Sequence, residues 1–104
     1  MDPRIQRVIA AIDDDPRRTL SLEAMARIAH LSSSRLRHKF KSEVGTTPAR
    51  YLQNAKMRKA AKLLKDEDLS IKEVRAAIGL ESDSYFTHLC KRVFGLPPSR
   101  IKSS

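Results

Sequence analysis

Leu20-Ser21-Leu22 and Leu69-Ser70-Ile71 open two stretches of the chain that stay in step as far as Arg50 and Arg100. Leu31 pairs with Leu80, Ser32 with Ser82, and Leu36-Arg37-His38 with Phe86-Thr87-His88. Further on, Lys41, Gly45, Pro48 and Arg50 pair with Lys91, Gly95, Pro98 and Arg100. The offset is about 49 residues and grows by one where Glu81 is inserted into the second turn. Chance rarely keeps helix caps, turns, apolar positions and a terminal glycine in one register over such a span. One supersecondary unit therefore occurs twice.

Each copy reads as a helix of about eight residues, a turn of three or four, and a helix of about a dozen, the layout of a helix-turn-helix. In the first, Ser21 caps a helix carrying Leu22, Met25, Ala26, Ile28 and Ala29. The turn His30-Leu31 follows, and Ser32 caps a helix whose inward stripe is Leu36, Phe40 and Val44, stopped by Gly45. In the second, Ser70 and Glu73 have capping-box spacing and the helix runs to Gly79. Ser82 then caps a helix with Phe86, Leu89, Cys90, Val93 and Phe94 inward, stopped by Gly95.

Outward from the repeat, Asp2 and Pro3 start a first helix with Ile5, Val8, Ile9 and Ile12 inward, ending near Asp13 to Asp15. Thr47-Pro48 starts a long linking helix, about Pro48 to Lys65, with Leu52, Ala55, Ala60, Leu63 and Leu64 available for packing. Pro97-Pro98 leads into a short terminal helix. Helical apolar spacing recurs throughout and β-branched alternation does not, so the fold is all-α. The expected organisation is residues 1–47 as the first helix plus the first helix-turn-helix, 48–66 as the linking helix and 67–104 as the second helix-turn-helix, together one module.

Length and charge narrow the function. A chain of 104 residues with a formal net charge of +9 and a pI near 10.2 favours an anionic partner, nucleic acid first and an anionic membrane surface second. The single cysteine, Cys90, rules out an internal disulfide framework and reads as a small core residue. There is no Cys cluster for a structural metal, and no run approaches the ~20 apolar residues of a membrane span. A cytoplasmic setting is expected, at the nucleoid, with no cofactor. His30, His38, His88 and Cys90 show no metal spacing and meet no Gly-rich phosphate loop, so catalysis is not expected.

If Leu36, Phe40 and Val44 face the core, the opposite face of that helix presents Ser34, Arg37, His38 and Lys41. In the second copy the same logic presents Asp83, Ser84, Thr87, His88 and Lys91. Arginine grips guanine through two hydrogen bonds, and Ser, Thr and His donate or accept at base edges. The base-reading candidates are accordingly Ser33, Ser34, Arg37 and His38 in the first copy, and Asp83, Ser84, Tyr85, Thr87 and His88 in the second. Lys41, Thr47, Arg50, Lys91, Arg92 and Arg100 lie where phosphate contacts are expected. Asp83 stands apart, because a carboxylate near phosphate repels DNA unless it meets a cytosine amino group or caps its own helix. A linking helix of seventeen residues spans roughly 25 Å. With the width of the packed units added, that is compatible with reading helices one DNA turn, about 34 Å, apart in adjacent major-groove segments.

The stretches Leu31-Ser32-Ser33-Ser34-Arg35-Leu36-Arg37-His38-Lys39-Phe40-Lys41 with Gly45, and Ile78-Gly79-Leu80-Glu81-Ser82-Asp83-Ser84-Tyr85-Phe86 with Lys91-Arg92-Val93-Phe94-Gly95-Leu96-Pro97-Pro98, resemble the DNA-binding region of AraC-type transcriptional regulators. The resemblance runs from about Leu20 to Lys102. It implies seven helices, two helix-turn-helix subdomains bridged by the long helix, and control of transcription at promoter or operator DNA, commonly with RNA polymerase nearby; activation and repression both stay open. It also implies Ser34, Arg37, His38, Asp83, Ser84, Tyr85 and His88 as base readers. Four positions depart from the pattern: His30 where glycine is usual, Leu80 and Cys90 where Phe is usual, and Ile101 where an aromatic is frequent. With both reading helices on one chain, the domain is expected to act as a monomer. The alternative is a basic helical protein-interaction module without sequence-specific DNA binding. An RNA reader would expose stacking aromatics, whereas Phe40, Phe86, Phe94, Tyr51 and Tyr85 are expected mostly on inward stripes.

Overall fold

The computed structural model describes residues 1–103, which form seven helices and no strand. They are α1 (Pro3–Asp14), α2 (Leu22–Ala29), α3 (Ser33–Val44), α4 (Pro48–Leu64), α5 (Ile71–Ala77), α6 (Asp83–Phe94) and α7 (Pro98–Ser103). The chain makes two compact units that divide between Ala55 and Lys56, inside α4, so the two halves of that helix serve different cores.

In the first unit, α1 starts as its sequence dictates. Asp2 caps it by accepting from the Arg4 amide at 2.8 Å, and Pro3 fills a position whose N–H has no helical partner. Ile5, Val8 and Ile12 are fully buried, with Met25, Ala26 and Ala29 of α2, Leu36 and Phe40 of α3, and Leu52 and Ala55 of α4. Phe40 meets Tyr51 edge to face, with ring centroids 5.7 Å apart. This geometry suits the ring quadrupoles. The turn between α2 and α3 is closed at His30, which takes a left-handed conformation at φ 54° while the Leu31 amide reaches back to the Ala26 carbonyl at 3.0 Å.

The second unit repeats that skeleton almost bond for bond. Gly79 adopts φ 77° where His30 adopts 54°, and the Leu80 amide reaches the Arg75 carbonyl at 3.2 Å as Leu31 reaches Ala26. Gly45 and Gly95 both end their helices left-handed, each donating at 2.9 Å to the carbonyl of Lys41 or Lys91. Ser70 and Glu73 form the complete capping box. The core holds Met57, Ala60 and Leu64 of α4 with Val74, Ile78, Phe86, Leu89, Cys90 and Ile101. Burial pushes the Cys90 thiol up to about 11, so it is an inert core residue.

Three details differ from expectation. α5 stops at Ala77, with Ile78 as its cap, two residues before Gly79. Val93 is 40 % exposed rather than inward. Phe94 takes the inward side of that last turn, and a step of 100° leaves Val93 on the flank. Tyr85 is 45 % exposed because it lies one position before the buried Phe86, on the outer side of the first turn of α6.

Candidate nucleic-acid interface

Burying Leu36 and Phe40 turns Ser34, Arg37, His38 and Lys41 outward, and all four are exposed; Ser33 is half-buried. The Ser32 hydroxyl accepts from the Arg35 amide at 3.2 Å and fixes where α3 begins, hence which residues occupy its tip. Arg37, His38 and Lys41, with Ser42 and Thr47, line a groove of about 410 Å³. A second groove of about 610 Å³ runs along the other flank of α3 and adds Arg4, Arg35 and Lys39 to the cationic lining. Sequence reasoning left this flank out.

That flank is held in place by a carboxylate network. The Asp2 amide donates to Glu43 Oε1 at 2.7 Å, while Asp2 Oδ2 accepts from Arg4 Nη2 at 2.9 Å and lies 3.4 Å from Lys39 Nζ. Lys39 in turn lies 3.5 Å from Glu43. The Arg4 side-chain and backbone hydrogen bonds, with Lys39 adding, hold the Asp2 carboxyl well below the usual carboxylate range. The start of α1 is thereby tied to α3, and Lys39 is partly neutralised.

In α6 the Ser82 hydroxyl accepts from the Tyr85 amide at 3.1 Å, so Ser82 and not Asp83 is the cap. Asp83, Ser84, Tyr85, His88 and Lys91 are exposed and Thr87 is half-buried. Asp83 Oδ1 lies 2.6 Å from Nε of Arg75 in α5, and Nη1 of the same guanidinium donates to the Leu80 carbonyl. Sequence reasoning missed Arg75. The signal was present in the repeat, where Arg75 and Asp83 stand at the positions of Ala26 and Ser33.

Among the phosphate candidates, Lys41, Arg50, Lys91, Arg92 and Arg100 are exposed. Thr47 is half-buried, and its hydroxyl caps α4 by accepting from the Arg50 amide at 3.2 Å. That aims the Arg50 segment while leaving the hydroxyl proton to donate. Among the described residues no three His, Cys, Asp or Glu side chains gather as a metal site, and no helix is long and apolar enough to cross a membrane.

A family profile described as a helix-turn-helix domain matches residues 25–104. The chain belongs to the AraC-type helix-turn-helix family. It is 33% identical over 97% of its length to the HTH-type transcriptional activator RhaS of Escherichia fergusonii, covering 36% of that protein. The C-terminal domain of AraT, a response regulator from Geobacillus stearothermophilus, is 27% identical and superposes with a TM-score of 0.91 over 98% of this chain and 85% of that one. The DNA-binding domain of AdpA, solved in complex with a target DNA, shares the fold with a TM-score of 0.90 at 24% identity, over 99% and 92% of the two chains. This AraC-type chain spans about a third of the length of the curated relatives it matches.

Proposed function

We propose that this AraC-type chain is a sequence-specific DNA-binding module that regulates transcription, with α3 and α6 as its recognition helices. The observation that carries the reading is the repetition of one exposed polar face on the second helix of both units. Ser34, His38 and Lys41 recur as Ser84, His88 and Lys91, each set beginning two residues inside a serine cap. A single solvated face is commonplace, but two in register on a chain of net charge +9 fit a polyanion with a repeating groove. The two helices take adjacent major-groove segments of promoter or operator duplex. Base contacts come from Ser33, Ser34, Arg37 and His38, and from Asp83, Ser84, Tyr85, Thr87 and His88; Lys41, Thr47, Arg50, Lys91, Arg92 and Arg100 hold phosphates. The module binds as a monomer in the cytoplasm, at the nucleoid, catalyses nothing itself, and acts as an activator beside RNA polymerase, as the name of the RhaS relative suggests.

Arg37 and Lys41 share one face of α3 and separate the two kinds of contact. Arg37 lies about one turn inside the Ser32 cap, where a helix tip meets the groove floor, and its planar fork matches guanine O6 and N7. Arg37→Ala should cost ~1 to 3 kcal/mol on the preferred site and relax the preference at one base pair, while binding to random duplex changes less. Lys41→Ala should weaken both kinds of DNA about equally and lower the salt slope by about one contact. Both variants are measured on selected and random duplexes across a salt series. A parallel loss for Arg37→Ala with base preference intact removes α3 as a reader through Arg37.

A further inference from the structure

The second recognition helix carries a carboxylate at its tip, where a phosphate-lined groove repels negative charge. Asp83 is 68 % exposed at its side chain, and the usual structural use for such a residue, capping the helix, is already filled by Ser82. Its charge is compensated from behind. The Arg75 side chain is only 15 % exposed, its Nε lies 2.6 Å from Asp83 Oδ1, and its Nη1 is fastened to the Leu80 carbonyl in the turn. One guanidinium thus spans α5, the turn and the first residue of α6. The first unit has nothing comparable, since Ala26 and Ser33 occupy those places.

We propose that Asp83 is a specificity-determining residue that accepts a hydrogen bond from the exocyclic amino group of a cytosine, and that Arg75 is the positioning residue that lets it do so. This rests on the reading of α6 as a recognition helix and adds the base it selects. The chemistry is exclusive. An ionised carboxylate has no proton to offer and needs a donor at the base edge. Guanine presents O6 and N7 and thymine presents O4, all acceptors that repel it, and adenine sets the N7 acceptor beside its amino group. Cytosine N4 is the major-groove donor without a neighbouring ring acceptor on its own base. The Arg75 charge lies against Oδ1, so the carboxylate approaches the groove as half of a neutral ion pair. The partly buried guanidinium cannot itself swing out to a phosphate without abandoning the turn.

The test is selection from a pool of randomised duplexes by the 104-residue chain and its Asp83 variants, followed by affinities on the selected site. Wild type should select cytosine at one base pair. Asp83→Ala should lose that preference alone, with roughly ten-fold less discrimination there. Asp83→Asn keeps the shape, gains two donors and should shift the preference toward adenine. Arg75→Met should weaken binding to random duplex several-fold at low salt, an effect that shrinks as salt rises. Adding Asp83→Ala to Arg75→Met should restore random-duplex affinity, a rescue that a purely structural arginine would not give. If Asp83→Ala leaves every base preference as it was while Arg37→Ala alters one, Asp83 reads nothing and the proposal is overturned, although α3 still reads sequence. If the wild type selects no sequence at all, the proposal falls with the function on which it rests.

Discussion

The two helix-turn-helix units share a backbone and differ in what clamps the recognition helix to the rest of its unit. Caps, left-handed turn residues and closing hydrogen bonds recur at the same offset, from the 6→1 bonds of Leu31 and Leu80 to the helix-ending amides of Gly45 and Gly95. The side chains behind them are unrelated. In the first unit α3 is fastened by the Asp2, Arg4, Lys39 and Glu43 network and by the Phe40–Tyr51 edge contact. In the second unit Cys90 and Ile101 occupy the positions of that aromatic pair, so two departures from the family pattern are halves of one exchange of large for small. Polar ties to backbone carbonyls take over there, Arg75 to Leu80 and the buried Lys56 to Ile78. A helix-turn-helix backbone is thus set by a few cap and turn positions, and each copy is free to find its own way of holding its reading helix.

The largest effect expected from breaking either unit is in its apolar centre. Phe40 and Phe86 are the largest fully buried side chains of α3 and α6. Phe40→Ala and Phe86→Ala should each lower stability by ~3 to 5 kcal/mol, the usual result of truncating a buried phenylalanine. Urea denaturation of the free protein measures it. A loss below about 1 kcal/mol at either position would contradict the facing assigned to that helix.

Next in size is the Lys56 clamp of the second unit. Lys56 is 5 % exposed, and its Nζ donates to the Ile78 carbonyl at 2.8 Å, at the cap of α5, where a helix carries its negative end. Lys56→Met keeps the aliphatic stem and removes the donor, leaving a buried carbonyl without that partner. The expected cost is ~1 to 3 kcal/mol. Amide exchange should report a larger loss of protection in α5 than in α2. Equal losses in α2 and α5 would mean that the tie is not specific to the second unit.

What could be read from residues alone follows the same division. Ser21, Ser32, Ser70, Ser82, Gly45 and Gly95 act through neighbouring backbone, so their roles were legible from local spacing, and the helices fall within two residues of expectation. Exposure of Arg37, His38, Ser84 and His88 followed from the burial of Leu36 and Phe86 on the opposite face. Arg75, Lys56 and Lys39 were not legible. Their partners lie up to 37 positions away, and a long cationic side chain has no periodicity that says whether it snorkels to water or turns inward to a carbonyl. Val93 failed for a related reason, since an apolar stripe predicts which side is inward but not where the core ends.

The smallest expected effect sharpens the comparison most, because it concerns a left-handed turn position that one copy fills with histidine and the other with glycine. His30 sits at φ 54° and Gly79 at φ 77°, both closing the first helix of their unit. An L-residue in the left-handed region brings Cβ against the following carbonyl, at roughly 1 to 2 kcal/mol relative to the right-handed helix, and histidine is among the residues that tolerate it best. Glycine avoids the clash but gives up more conformational freedom on folding. The balance predicts opposite signs. Gly79→Ala should lower stability by about 1 to 2 kcal/mol, since the methyl group adds the clash and nothing compensates. His30→Gly should raise it by about 0.5 to 1 kcal/mol, the relief of strain exceeding the extra entropy of the unfolded chain. Thermal melts of both variants without DNA decide it, and duplex affinity should be unchanged for His30→Gly, because His30 is a turn residue outside both reading faces. If His30→Gly lowers the melting temperature instead, the imidazole makes a stabilising contact that outweighs its backbone strain, and the two turns are equivalent in shape but not in what holds them.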